Sequence, residues 1–451
     1  MTDLSFLAEL QLFFERMSLA LPDPRARHRV AEMGIGLLCG ETPKTIASAL
    51  EWIGTQGDWS ADYRIFSKTR WRTNDLFAPL LAEATARSGK GPIVAAMDDS
   101  LLRKTGRKIP GASYARDPLS PPFHTNLVLG QRFLQTSVMA RAGGDRPWRA
   151  VPVALRHAPP LKAPRGATDE QKRAVKEARK QYNISAVGRE ELFRLRAEID
   201  RLPDGSERNL ILTADGSFAN RSFLQEVPDR TTVVARLRRN ARLRRVLPLS
   251  KRKGNRKYGE PLPTPEEMLR DARVRTRRMT VYVSGRRRRL RYKVVENVCW
   301  PRVTRDRPAT LILLKPLRYR LRKGGKPLYK QSAYLFVVGD EAQVRQVIRA
   351  YLLRWEIEVN FRDEKTILGV GKAQVWNPTA VERAPAFLIA CYAAMLLASM
   401  KVLKDRRDHH FDALPPWRND EVRRPSARDL VRLLRKQVRE ERKLQSTQQL
   451  A

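Results

Sequence analysis

Near the start of the chain Phe6, Leu7, Leu10, Phe13, Phe14 and Met17 recur at helical spacing and predict an amphipathic helix. Thr42 and Pro43 suit the N-cap and first position of a helix carrying Ile46, Leu50 and Ile53. A break at 54–57 precedes a second short helix from about Trp59 to Thr69, with Tyr63, Arg64, Lys68 and Arg70 facing outward. Past residue 88 the pattern changes to strands. The run GPIVAAM at 91–97 reads as a buried strand that ends in Asp98, Asp99 and Ser100. Neighbouring strand residues face opposite sides, so only one of the two acids can serve a given site. Further strands are expected at 125–133, 137–140 and 148–155, then a Pro-bounded loop at 159–164. Thr168 to Gln171 form a capping box that opens a helical region through Leu192, Leu195 and Ile199. Asn209 to Ala214 repeats the earlier design, a buried strand ending in Asp215, and Thr231 to Leu237 follows as a third core strand.

About a hundred residues then intervene, with strand-like runs at 279–283, 290–300, 310–314 and 332–338 between Arg-rich loops. The loops RLRRNARLRRV, SGRRRRLR and RLRKGGK could contact phosphates, which positions DNA without reading its sequence. Trp300 is either a core side chain or a platform for a flipped base. Next, 351–375 contains good helix formers, no Pro, and Gly369 and Gly371 near its end, so one helix of about four turns is predicted. On a wheel of about 100° per residue, Tyr351, Arg354, Glu358 and Lys365 share one stripe. Leu353, Ile357 and Phe361 form an apolar face, while Glu356, Asp363 and Glu364 point away from the stripe. The apolar run 387–397 is short for a membrane span and reads as a buried helix. A charged, Pro-containing stretch at 401–424 leads to a final helix with Leu430, Leu433, Leu434 and Val438 on one side, packing in cis or pairing two protomers.

Composition narrows the partners. The 451 residues carry 88 Lys and Arg against 48 acids, a formal charge of +40, which calls for a polyanion and most naturally nucleic acid. Cys39, Cys299 and Cys391 make no CxxC pair, so neither a structural zinc site nor a disulfide framework is expected, in keeping with a reducing cytoplasm. No secretory signal and no Walker-type phosphate loop are evident. Two strand-end aspartates and one helical glutamate, far apart in sequence, suit two-metal phosphodiester chemistry, because hard cations such as Mg2+ need carboxylate oxygens.

Tyr351-x2-Arg354-x3-Glu358-x6-Lys365, the word RWEIE and the Lys365-x3-Gly369 spacing resemble the signature of the YREK group of bacterial insertion-sequence DDE transposases. Asp98-x-Ser100 and the following LLRKTGRKIPG, with Lys104 and Gly106, are similar to the same family. The resemblance implies a mixed α/β fold: a ribonuclease H-like catalytic core with a β-rich insertion domain and an N-terminal helical DNA-binding domain. The corresponding layout is a helix-turn-helix-like region at 1–88, core at 89–238, basic insertion at 239–340, core with the YREK helix at 341–402, and a charged linker with the C-terminal helix at 403–451. It implies catalytic Asp98, with Asp99 as rival, Asp215 and Glu358, holding two Mg2+ ions for which Mn2+ can substitute. Tyr351, Arg354 and Lys365, with Trp300, would hold the DNA end. Cut-and-paste transposition on double-stranded inverted-repeat ends and target DNA, as a homodimer in the bacterial cytoplasm at the nucleoid, is the implied activity. A catalytically inactive DNA-binding remnant and a metal-dependent nuclease of the same fold are the alternatives.

Overall fold

The structure is a computed structural model and describes residues 5–450 apart from 42–43, 56–57, 118–119, 122, 145, 165, 253, 255–256, 284–285, 321–325, 327, 408–409 and 413–423. Five helices come first: α1 (Phe6–Ser18), α2 (Pro24–Cys39), α3 (Ile46–Ile53), α4 (Ser60–Ser67) and α5 (Thr73–Ala86). The predicted apolar face of α1 is buried throughout. The expected cap at Thr42 and Pro43 lies outside the described residues, and α3 is capped instead by Thr45, which forms a reciprocal box with Ser48. Gly54 ends α3 in the left-handed region at φ 78°, a conformation that favours glycine. On α4 and just beyond it Tyr63, Arg64, Lys68 and Arg70 are exposed, while Ile65 and Phe66 turn inward.

The strand region opens with β1 (Ile93–Arg103), β2 (Ser113–Arg116), β3 (Leu127–Ala140) and β4 (Arg149–His157). Three expectations change here. β1 does not end at Asp98 but carries Asp98 and Asp99 within its length. The two strands expected at 125–133 and 137–140 are one, because the polar Gln135, Thr136 and Ser137 are buried within β3 and do not break it. β2 was not expected, since four residues leave little periodicity to read.

Helices α6 (Asp169–Gln181) and α7 (Ile184–Asp200) lead to β5 (Leu210–Ala214), α8 (Arg221–Leu224) and β6 (Thr231–Arg236). The Thr168–Gln171 capping box at α6 is present as predicted. Next come β7 (Arg244–Val246), β8 (Tyr258–Pro261), α9 (Pro265–Arg270), β9 (Arg277–Val283), β10 (Arg286–Cys299), β11 (Ala309–Leu314), β12 (Leu317–Tyr319), β13 (Leu328–Lys330) and β14 (Ala333–Gly339). All four strand-like runs expected in this stretch are strands. The basic loop 236–246 is described, whereas residues 284–285 and 321–325 of the other two loops lie outside the described residues. The chain closes with α10 (Val344–Leu353), α11 (Trp355–Thr366), α12 (Ala380–Val402) and α13 (Ala427–Leu450).

Two compact units divide the chain: 1–90, 98–160 and 356–451 form the first, 91–97 and 161–355 the second. In the first, β3 pairs antiparallel with β2 and β4. Its centre is α12, where every residue from Ala386 to Met400 is buried. α12 is 23 residues long, longer than the apolar run suggested, and passes the length and composition test for a membrane span. Yet 83% of its most apolar window is buried inside the protein, so α12 serves as a core helix. At its end a buried ion pair joins Arg149 on β4 to Asp405, and Arg149 also donates to the Pro425 carbonyl at 2.6 Å. Much of the charged stretch 401–424 lies outside the described residues, but Arg424 donates to Glu356 at 2.7 Å and so touches the first turn of α11. α13 packs in cis: Leu7 N–H donates to Gln437 Oε1, and Arg435 donates to the Cys39 and Gly40 carbonyls.

The second unit is built on a sheet in which β5 pairs parallel with the first half of β1 and with β6. From β6 onward pairing is antiparallel through β14, β11 and β10, with β7, β8 and β9 at the far side. Strands β7 to β11 and β14 therefore extend the sheet through the β6–β14 pair. α10 lays Val347, Ile348 and Ala350 on an apolar cluster that includes Tyr292, Ile312 and Leu335.

Candidate functional site

The helix expected to carry the Tyr-Arg-Glu-Lys stripe is divided. α10 ends at Leu353, Arg354 stands at the junction, and α11 begins at Trp355. Arg354 keeps right-handed helical angles, and its N–H is shared between the Ala350 and Tyr351 carbonyls, a three-centre bond common at helix ends. One wheel therefore no longer describes all four residues. Glu358 and Lys365 share α11 and, seven residues apart, one face of it, whereas Tyr351 belongs to α10.

In the first unit, β1 brings Asp98 and Asp99 into place. The Asp99 N–H donates to Asp98 Oδ1 at 2.9 Å, and the Asp99 carboxylate is held by Arg132 of β3 at 2.7 Å. The second acid is thus turned to a guanidinium. Lys365 is an exposed residue, but partial burial of its ammonium holds its pKa below the ordinary lysine value. Glu364, Glu358 and Asp99 counter that burial effect, and Arg103 reinforces it. Lys365 therefore shares a field with Glu358 and Asp99.

Sequence reasoning placed Glu364 and Asp363 away from the stripe, and the structure buries both, at 3% and 4% exposure. Burial pushes the Glu364 carboxyl up to about 8, against an opposing hydrogen bond from Gln135 at 2.9 Å. Beside it, Asn360 donates to the Ala150 carbonyl at 3.0 Å, and the Tyr392 hydroxyl donates to Asp363 at 3.3 Å. A polar layer thus backs the α11 face opposite solvent. Its signal in the sequence is faint: Gln135 and Arg132 are two of several polar residues inside a largely apolar strand, and each finds its acid.

Also in the first unit, Lys104 fixes the segment after α11. Its buried ammonium donates to the Gly371 and Ala373 carbonyls at 2.8 and 2.7 Å, and burial lowers its pKa to about 8. Gly371 sits at φ 90°, and a Cβ there would lie 2.8 Å from the Leu102 side chain, so the sequence needs glycine at this crossing. A cavity of about 420 Å³ opens beside it, lined by Arg103, Lys104, Lys372 and Gln374 with Val128 and Leu129.

In the second unit Asp215 directly follows β5, as predicted, and precedes a single 3-10 turn. Burial raises the pKa of the Tyr351 phenol, Arg236 and Arg354 oppose the rise, and Asp215 adds to it. Asp215, Tyr351 and Arg354 therefore belong to one electrostatic neighbourhood, completed by Arg236. That arginine is the last residue of β6, next to Ala235, which pairs with Ala214 just before Asp215, a parallel legible in the sequence but not used there. Trp300 lies elsewhere, half-buried, with its ring edge-on to Phe336 at 5.9 Å between centroids.

The carboxylates of Asp98, Asp215 and Glu358 have the donor chemistry for a hard divalent cation. Among the described residues, however, no three His, Cys, Asp or Glu side chains lie close enough together to form a ready-made metal site. The three cysteines are buried free thiols.

A mixed α/β protein with a large mixed sheet and strand-borne acids fits a DDE-type nuclease fold. The family described as DDE superfamily endonuclease matches residues 20–307, well over half the chain, and the protein belongs to that family. The matched stretch holds Asp98 and Asp215 and ends before Glu358. Members of this superfamily are transposase- or nuclease-type enzymes that act on DNA and generally depend on a divalent metal. No curated protein matches the chain.

Proposed function

We propose that this protein is a cut-and-paste DNA transposase of the YREK kind, acting as a homodimer on the inverted-repeat ends of its element and on target DNA. The observation that carries the reading is the register of two parallel strands. Met97 of β1 pairs with Ala214 of β5, and in each strand the next residue is an aspartate. With Glu358 on α11 these would supply the acids expected of a ribonuclease H-like core, in a chain whose charge of +40 suits a polyanionic substrate.

Asp98, Asp215 and Glu358 would hold Mg2+, or Mn2+ in its place. Such a cation, when bound, activates an oxygen nucleophile and stabilises the leaving oxygen of a phosphodiester. The chain's own residues do the remaining work. Arg132 holds the Asp99 carboxylate, and Asp98 is the acid assigned to the metal. Tyr351 keeps its proton because its pKa is raised, so it can donate to a phosphate oxygen. Arg354 can fork onto the same phosphate and Lys365 can add a point charge. Exposed Tyr63, Arg64, Lys68 and Arg70 would read and grip the repeat, as the second helix of a helix-turn-helix does.

Linear DNA carrying the repeats that flank the gene, incubated with Mg2+ and either intact protein or Glu358→Gln, tests the reaction on gels that resolve nicks, hairpins and joined products. Cutting and joining by the intact protein, with the variant binding but not cutting, supports the proposal. Binding by both and cutting by neither under any divalent metal would leave a DNA-binding remnant, and cutting without joining would leave a nuclease. Mn2+ titration followed by electron paramagnetic resonance separates the two acids without relying on activity: Asp98→Asn should weaken binding and Asp99→Asn should not.

A further inference from the structure

We infer that the outer face of α13 is a docking surface for the phosphate backbone of duplex DNA. The helix exposes Arg428, Arg432, Lys436, Arg439 and Lys443. At about 100° per residue these five fall within one sector of about 80°. The acids Asp429, Glu440 and Glu441 lie at about 100°, 120° and 220° from Arg428, outside that sector. Only Glu440 reaches toward it, at 4.0 Å from Lys436. The opposite face is occupied by Leu430, Val431, Leu434 and Val438, which are buried. From Arg428 to Lys443 the row is roughly 22 Å long. Duplex DNA offers one phosphate charge per ~1.7 Å of axis, so the row can be fully engaged by a single stretch of backbone.

What separates this row from scattered surface charge is its mounting. Arg435, between two of the exposed cations, donates to the Cys39 and Gly40 carbonyls at 2.7 and 3.0 Å and closes the end of α2. Arg442, beside Lys443, donates to the Trp52 carbonyl at 3.2 Å and lies over the Trp52 ring at 4.7 Å. It thus grips the end of α3, where Gly54 begins the turn toward α4. Inner arginines fix the helix against the N-terminal helices while outer cations face solvent. A charge row held in place binds phosphates without the ordering cost of a mobile tail. The contacts carry no sequence information and would lengthen the footprint of the helical region.

The inference rests on the reading that the protein acts on DNA, and the test separates the two. Affinity for a random-sequence duplex is measured against salt for the full chain, for a variant with all five cations changed to Gln, and for a control with Lys162, Lys172, Arg173, Lys176 and Lys180 changed to Gln. The control removes the same charge from another exposed stretch. Each phosphate contact contributes about 0.9 to the slope of log affinity against log salt, so the α13 variant should lose about 4 to 5 and the control less than about 1. If the fivefold variant fails to fold, Arg432→Gln with Lys436→Gln and Arg439→Gln should still lose about 2.7. An unchanged slope in the α13 variant, or an equal loss in the control, overturns the inference while DNA binding by the intact chain stands. No binding by the intact chain at any salt overturns both.

Discussion

Glu364→Gln should stabilise this protein increasingly as pH rises. Glu364 is 3% exposed on α11 and its carboxyl is held at about 8 instead of 4.5, chiefly by burial. A carboxyl raised in the folded state binds its proton there while the unfolded chain has lost it. Its contribution is therefore present below about 4.5 and is lost as pH climbs through the folded value. Within that window stability falls by ~1.4 kcal/mol per pH unit, to a ceiling on the order of 5 kcal/mol. Glutamine keeps the shape, carries no proton to lose, and offers N–H donors beside Gln135 Oε1, which lacks a partner among the described residues. His157 acts in the opposite sense. Burial, then Lys104, lowers its pKa from 6.5 to about 4, so its contribution is present above 6.5 and lost as pH falls through 4. Up to about pH 6.5 the two effects offset each other, and above it only the Glu364 effect remains, so the wild-type profile alone would mislead. The assay is urea unfolding followed by tryptophan fluorescence, wild type against Glu364→Gln, from about pH 5 to 8 at fixed ionic strength. The variant's advantage should grow by about 1 kcal/mol per unit. A difference independent of pH, or a wild type that is the more stable at about pH 8, would show that Glu364 is ionised in the folded protein.

Gly371→Ala should cost about 1 to 3 kcal/mol, since it meets both a φ of 90° and the Leu102 side chain, while Lys372→Ala next to it should cost under about 0.5 in the same unfolding assay. Asp405→Asn, which leaves the buried Arg149 guanidinium without its charge partner, should destabilise by about 3 to 5 kcal/mol. Arg424→Ala removes the bond to Glu356 and should lower the cleavage rate on DNA ends more than stability, because the bond orients the first turn of α11; equal loss of both would deny it an orienting part. Trp300→Phe should leave DNA-end cleavage and hairpin yield unchanged, since its ring is packed on Phe336, and a selective loss of hairpin product would return it to the site.

Legibility followed the period of the signal. Where several turns of helix or a full apolar strand spelled out one face, as in α1, β5 and the α6 capping box, the residues named the element and often its ends. Asp215 was found because it closes such a strand. The same rule misplaced the end of β1, since a strand can carry two acids in its interior when Arg132 arrives from a neighbour that cannot be read locally. The helical wheel assumed one unbroken helix, whereas the helix is divided at Arg354, with Tyr351 on α10 and Glu358 on α11. Least legible were the groups whose meaning depends on distant partners. Glu364 reads as a solvent-facing acid until Gln135 and the core beneath α11 are in place, and Arg435 and Arg442 read as two more cations in a basic helix until the ends of α2 and α3 receive them. In each case the residue type was visible and its partner was not. Burial energetics, a property of the assembled chain, decides whether a charge near α11 is neutralised, paired or left to meet a phosphate.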